Sequence, residues 1–212
     1  MSERPKLTRR GLLRGFGTAT VIAGCAKPTA EGAAGETAQP EDLPADVVAI
    51  GPGAAPLSLE INGSVRTLEV AASVTLLAAL RDHLELTGSK EVCDRGACGA
   101  CMVLVDGVPM NSCMMLAHDV EGRSITTVEG LASGDTLAPL QSAFIAHDAT
   151  QCGFCTSGML ISATALLRSG DSKDRSSIAK GMAGNLCRCG SYHHILAAIE
   201  DVAGVADAKG GA

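Results

Sequence analysis

Nine cysteines stand in this chain: Cys25, Cys93, Cys98, Cys101, Cys113, Cys152, Cys155, Cys187 and Cys189. Apart from Cys25, they form two fours. The first reads C-x4-C-x2-C-x11-C and the second C-x2-C-x31-C-x-C. Thiols so grouped could ligate metal, pair as disulfides or cycle as a redox dithiol. The C-x4-C-x2-C part is the spacing of a plant-type [2Fe–2S] site. Such a site needs thiolates converging from one short loop and one anchor. Gly96 and Gly99 let the backbone pass close and aim N–H groups at sulfur. Cys113 supplies the fourth thiol.

The second four ask for a different scaffold. Cys152-Gly153-Phe154-Cys155 precedes a predicted helix, and Cys187-Arg188-Cys189 lies between two others. A bundle can bring such helix ends together, where N–H groups favour an anionic thiolate centre. Disulfides suit an even cysteine number, but a pair separated by one residue rarely satisfies bridge geometry. Zinc uses C-x2-C pairs, but C-x4-C-x2-C with two glycines is not its usual spacing. Two iron–sulfur sites are therefore the leading reading, with disulfides, zinc and a dithiol as alternatives.

The elements that must position these thiols change character along the chain. Leu57, Leu59 and Ile61 alternate with polar residues, Asn62-Gly63 follows, and Arg66–Val70 resumes the alternation. This predicts a hairpin. Leu76, Leu77, Leu80 and Leu84 mark a helix, with Ser73 as cap and Gly88 as stop. A second hairpin turns at Asp106-Gly107, and Ser124–Val128 reads as a last strand. Helices are predicted around Leu137, Leu140, Phe144 and Ile145; around Met159, Leu160, Ala163, Leu166 and Leu167, ended by Gly170; around Ile178 and Met182; and around Ile195, Ile199 and Val202. The expected fold class is α+β: a sheet domain over 56–131, an all-helical domain over 132–206 and a tail over 207–212.

The N-terminus reads as targeting. Arg9-Arg10 precede Leu12-Leu13 and a modestly apolar stretch ending at Cys25. This resembles a twin-arginine export signal over 1–25, with an apolar run too short to span a bilayer. That route carries folded proteins and leads to the periplasm, so a cofactor can be inserted first. Ile22-Ala23-Gly24-Cys25 resembles a lipoprotein cleavage box. Cys25 is thus a lipidation candidate, or an ordinary residue of a cleaved or retained signal. Residues 26–55, rich in Ala, Gly, Pro and Glu, read as a flexible linker.

Composition bounds the partners. Net charge is −6, although the first 25 residues hold Arg4, Lys6, Arg9, Arg10 and Arg14 against Glu3. The remainder is acidic, which argues against nucleic acid. The chain has three Phe, one Tyr and no Trp, so its core rests on aliphatic side chains and Met.

The segment Gly88–Cys113 resembles the ferredoxin-like domain of the iron–sulfur subunit in the xanthine oxidase family. Thr127–Leu131, Pro139–Phe144, Gln151–Met159 and Gly184–Ile195 resemble its helical domain in order. The resemblance covers roughly 56–205, and its wording is most similar to periplasmic aldehyde oxidoreductases and isoquinoline-type oxidoreductases. It implies a β-grasp [2Fe–2S] domain followed by a four-helix-bundle [2Fe–2S] domain. It also implies a large molybdopterin-binding partner subunit, an FAD-binding subunit or a haem-bearing cytochrome c as acceptor, and aldehyde or N-heterocycle substrates. By the same resemblance, electrons pass from the molybdenum centre to the cluster on Cys152, Cys155, Cys187 and Cys189. They continue to the cluster on Cys93, Cys98, Cys101 and Cys113. Gln151 and the backbone near Cys189 resemble the family's pterin contacts; the plainer reading of Gln151 is a cap or surface residue.

Three residues depart from the family pattern: Val92 and Ser157 replace a usual Gly and Pro, and Ala138 a common His. If the family's Gly at residue 92 needs positive φ, the entry to the cysteine loop must differ here. His193 and His194 read as surface or interface residues, because neighbours on a helix point apart. His118 and His147 show no convergent partner. Arg188 could offset cluster charge or form an ion pair. A stand-alone two-cluster carrier or redox sensor, and a disulfide-stapled binding protein, are the competing function classes.

Overall fold

The computed structural model describes residues 49–205, apart from 52 and 173. The twin-arginine segment, Cys25, most of the linker and the tail lie outside them. Strand β1 (Ala54–Ile61) and strand β2 (Ser64–Ala71) form the first hairpin. Asn62 (φ 51°) and Gly63 (φ 75°) both adopt positive φ, as a type I′ turn demands. The strand starts at Ala54, paired with Ala71, inside the segment expected to be linker.

Helix α1 (Leu76–Ala78) runs into a π-turn, Ala79–His83, whose register closes with Leu84 N–H donating to the Ala79 carbonyl. Its cap is Thr75, whose hydroxyl accepts from Ala78 N–H, rather than Ser73. Its stop is Glu85, at φ 59°, rather than Gly88. Gly88 serves instead as a close-contact point. A Cβ there would run into Val128 and Glu129, and its N–H donates to Glu129.

Strands β3 (Met102–Val105) and β4 (Val108–Asn111) form the second hairpin, and β5 (Ser124–Thr126) returns between β1 and β3. The sheet order is β2-β1-β5-β3-β4, with β5 parallel to β1 and antiparallel to β3. One face packs on α1 through Leu57, Leu59, Ile61, Leu76, Leu80 and Ile125.

Four helices follow: α2 (Pro139–Ala146), α3 (Thr156–Ser169), α4 (Arg175–Gly181) and α5 (Tyr192–Ala203). Leu140, Phe144, Met159, Ile178, Ile195 and Ile199 form their core. Leu137 and Ile145 do not join it; they are 44% and 70% exposed. Ile145 lies one residue past Phe144, off the face that Leu140, Ala143 and Phe144 bury, and Leu137 precedes the helix. Ala138 cannot cap it by side chain, so Gln141 accepts from Ala138 N–H instead. Gly170 and Gly204 end α3 and α5 in left-handed conformations.

Strand β3 joins the two halves. Val103 and Val105 face the first core, and alternation turns Leu104 to the other side. There α3 covers the strand, leaving Leu104 fully buried.

Candidate metal centres

The first cysteine set sits on the loop between α1 and β3. Arg81, on the π-turn, donates to the carbonyls of Thr87 (2.9 Å) and Ser89 (2.7 Å), fixing the approach to the loop. Within it, Asp94, Gly96 and Gly99 take positive φ, and Val92 does not. Residue 92 therefore needs no positive φ in this loop: the left-handed turn falls on Asp94, which tolerates it. Gly96 and Gly99 have no room for a side chain. A Cβ at Gly96 would lie 2.9 Å from Met114 Cγ, and one at Gly99 2.6 Å from Asn185 Nδ2. Cys113 arrives from a short turn after β4, and Leu77 of α1 packs against Cys101 and Cys113.

The thiols meet in pairs. Cys93 lies beside Cys98, and Cys101 beside Cys113. The N–H of Arg95, then the Cys98 thiol, bring Cys93 down to about 7. Burial, then Cys113, push Cys101 up to about 11. Asn111 braces the loop, its Nδ2 3.4 Å from the Gly96 carbonyl and its Oδ1 3.7 Å from Cys101 Sγ. Ser112 Oγ donates to the Cys101 carbonyl at 2.7 Å.

The second set pairs in the same way. Cys152 meets Cys189, and Cys155 meets Cys187. Cys155 ends the loop that opens α3, whereas Cys187 and Cys189 lie between α4 and α5. The N–H of Phe154, then the Cys189 thiol, hold Cys152 below its ordinary value. Burial, then Cys187, push Cys155 up to about 12. Burial raises Cys187 too, but the Ser191 N–H, the Cys155 thiol and the N–H groups of Cys189 and Gly190 outweigh it.

These arrangements suit a binuclear group. Among the described residues, no three His, Cys, Asp or Glu converge as on a single ion. Two thiol pairs ringed by N–H donors instead offer one pair to each of two irons. All eight thiols are free, so this structure holds no disulfide staple among the described residues. Ser157 and Ser191, flanking the second set, are buried with hydroxyls that find no partner there.

The two loops touch. Leu186 N–H donates to the Cys98 carbonyl at 2.9 Å. Asn185 Nδ2 donates to the Gly99 carbonyl at 3.2 Å. Gly158 of α3 lies against that same carbonyl, where any Cβ would overlap it. Beside them opens an apolar pocket of about 430 Å³, lined by Val92, Phe154, Leu186, Arg188 and Tyr192 with four of the cysteines.

Residues 59–132 match the 2Fe-2S iron-sulfur cluster binding domain, and residues 127–200 match the [2Fe-2S] binding domain. The aldehyde oxidoreductase iron-sulfur-binding subunit PaoA of Escherichia coli O157:H7 is 44% identical over 213 residues, spanning 93% of this chain and 89% of that one. The chain belongs to the iron–sulfur subunits of the molybdenum hydroxylase family. The nicotine 6-hydroxylase small subunit of Paenarthrobacter nicotinovorans is 46% identical, covering 73% of this chain and 93% of that one. The solved quinoline 2-oxidoreductase of Pseudomonas putida 86 superposes with a TM-score of 0.69 at 46% identity, over 71% of this chain and 93% of its counterpart.

In this iron–sulfur subunit the remaining candidates are dispersed. Gln151 is exposed beside Cys152. Arg188 is exposed and forms no ion pair with a described residue. His193 and His194, both in the first turn of α5, nonetheless bring their rings near each other, with centroids 4.1 Å apart and planes tilted by 37°. His194 Nδ1 donates to the His147 carbonyl (2.9 Å), His147 Nε2 lies 3.2 Å from Asp201, and His118 Nε2 donates to the Val70 carbonyl. They are structural contacts, apart from both cysteine sets. Sequence reading passed over Asn111, Asn185, Gly158 and Tyr192. The one signal for Asn185 was its place two residues before Cys187; an amide there can satisfy a loop carbonyl.

Proposed function

We propose that this chain is the electron-relay subunit of a molybdenum hydroxylase acting on an aldehyde or an N-heterocycle. Cys93, Cys98, Cys101 and Cys113 would hold one [2Fe–2S] cluster. Cys152, Cys155, Cys187 and Cys189 would hold the other. Bound there, such clusters supply one-electron storage. The chain's own part is to bring the thiols together, ring them with N–H donors, exclude water from Cys98, Cys101, Cys113 and Cys187, and hold the two loops together.

The observation that carries this reading is the hydrogen bond from Leu186 N–H to the Cys98 carbonyl. It ties the neighbour of one thiol directly to the backbone of another, across the two domains. A large molybdopterin-binding subunit is the proposed source of electrons, and an FAD-binding subunit or a cytochrome c their acceptor. Transfer would start on the helical side, where Cys152 and Cys189 are exposed and where Gln151 and the Cys189 backbone are proposed pterin contacts. Relatives named for aldehyde, nicotine and quinoline oxidation support the substrate classes. The proposed domains are 56–131 and 132–206.

Periplasmic location through a twin-arginine signal, with Cys25 as a lipid anchor, remains a proposal from the sequence. Among the described residues no helix is long and apolar enough to cross a membrane.

Purification of the tagged chain from its own host tests the reading. The expected result is a large partner, about four irons per chain and two distinct EPR signals after reduction. A chain that keeps both clusters but binds no partner would overturn it in favour of a stand-alone carrier or redox sensor. A colourless chain without iron or free thiols would point to a stapled binding protein.

A further inference from the structure

The turn that carries Cys187 is closed by a side chain with no part in the proposed ligand set. Asn185 N–H donates to the Met182 carbonyl and Leu186 N–H to the Cys98 carbonyl. Cys187 N–H donates to the hydroxyl of Tyr192 at 2.8 Å. The next N–H groups behave differently. Gly190 N–H donates to the Cys187 carbonyl at 3.3 Å, and the N–H groups of Ser191, Cys189 and Gly190 lie around the Cys187 sulfur. The turn is thus held by the Gly190–Cys187 backbone bond and by one side-chain oxygen, that of Tyr192.

Tyr192 is built to hold that geometry. It opens α5, a twelve-residue helix anchored by the buried Ile195, Ala198 and Ile199. Its ring, 40% exposed, stands between the pocket over the cysteines and a second pocket lined by Met182 and Leu196. The oxygen is therefore placed by a rigid element, five residues from the N–H it receives.

We propose that Tyr192 is a positioning residue for Cys187 and, through it, sets the reduction potential of the cluster in the helical domain. This rests on the ligand assignment proposed above. N–H groups aimed at cluster sulfurs stabilise the more negative, reduced state and raise the potential. Without the hydroxyl, the turn keeps its Gly190–Cys187 backbone bond but loses its side-chain tether, and the donors at residues 189–191 shift relative to the sulfur. Their bonds to sulfur lengthen, and the potential falls. If the ring merely filled space, removing the oxygen would change nothing at the cluster.

Tyr192→Phe in the intact assembly tests this, by reductive titration followed by EPR. The expected result is a shift to more negative midpoint for one of the two signals, with an altered line shape. The affected signal is the one that Cys155→Ser abolishes; the other stays at its wild-type midpoint. Tyr192 is the only tyrosine in the chain, so fluorotyrosine incorporation alters only this ring within it. Fluorination weakens the oxygen as an acceptor, and a smaller shift of the same sign is expected even where the Phe variant fails to assemble. Unchanged midpoints in both samples, or equal shifts of both signals, would overturn the proposal. Absence of two signals in the wild-type assembly would instead count against the ligand assignment, so the two failures are distinguishable.

Discussion

Gly158 of helix α3 lies against the carbonyl of Gly99, so closely that a methyl group on either residue has nowhere to go. The same carbonyl accepts from Asn185, and its neighbour Cys98 accepts from Leu186. Helix, cysteine loop and C-x-C turn therefore share one contact point. Neither domain could shift appreciably without breaking it.

Gly158→Ala tests that closeness against helix propensity. In an open helix the change would stabilise by about 1 kcal/mol. Here the methyl meets backbone, which cannot rotate away as a side chain can. Overpacking costs about 1–3 kcal/mol, and the absence of a yielding neighbour places this site at the upper end. A lower melting temperature is expected, by about 2–4 °C per kcal/mol for a chain of this size. A melting temperature at or above wild type would mean that the interface is looser than described.

The thiol sets make separable predictions. Cys98→Ser should remove one EPR signal of the reduced chain and Cys155→Ser the other, with loss of about two irons each. The reason is segregation: Cys98 pairs with Cys93, Cys155 pairs with Cys187, and no thiol pair joins one set to the other. Loss of both signals in either variant would show that the sets are not independent.

How much of this was legible in the sequence depended on range. Asn62-Gly63 and Asp106-Gly107 announced their turns because tolerance of positive φ is local to Asn, Asp and Gly and needs no distant contact. The cysteine loop was legible because its spacing encodes its chemistry. The helix after β2 was placed correctly, but its π-turn and its stop at Glu85 were not, since both follow from packing and from the Arg81 clamp on Thr87 and Ser89. Leu137 and Ile145 face outward, because the helix begins only at Pro139 and its buried face is set by Leu140, Ala143 and Phe144, with Ile145 off it. The Asn185–Gly99 contact spans 86 residues. Nothing local foretells it, because it exists only once both loops are built.

Acid stability should carry the mark of Asp106. Its carboxylate accepts from Arg123 Nε at 2.7 Å and Ser124 N–H at 2.9 Å, tying the second hairpin turn to β5. Arg123, then the Ser124 N–H, hold its pKa below the ordinary 3.8. A carboxylate depressed on folding contributes stability that is complete above its unfolded value and is lost as pH falls through the folded one. Asp106→Asn keeps a residue that tolerates φ 51° but removes the charge. The variant should therefore lose less stability than wild type as pH falls below about 4, measured by denaturant titration. Parallel curves would show that Arg123 is screened by solvent.

Glu200 offers the last test, because it is the one charged side chain in the buried set of the described residues. Its side chain is 7% exposed and pairs with Arg175, which is 48% exposed. The pair joins the start of α4 to the last turns of α5, on either side of the turn that holds Cys187. Removing Arg175 strands the carboxylate away from water. Breaking a fully buried pair costs about 3–5 kcal/mol; the half-exposed guanidinium lowers the expectation for Arg175→Ala to about 1–3 kcal/mol. Arg175→Met with Glu200→Leu removes both the charge and its need for a partner, so the double variant should recover most of that loss. Additive losses in the double variant would show that the two side chains act independently. Recovery of stability without change in either EPR signal would place this contact in the scaffold rather than at the cysteines.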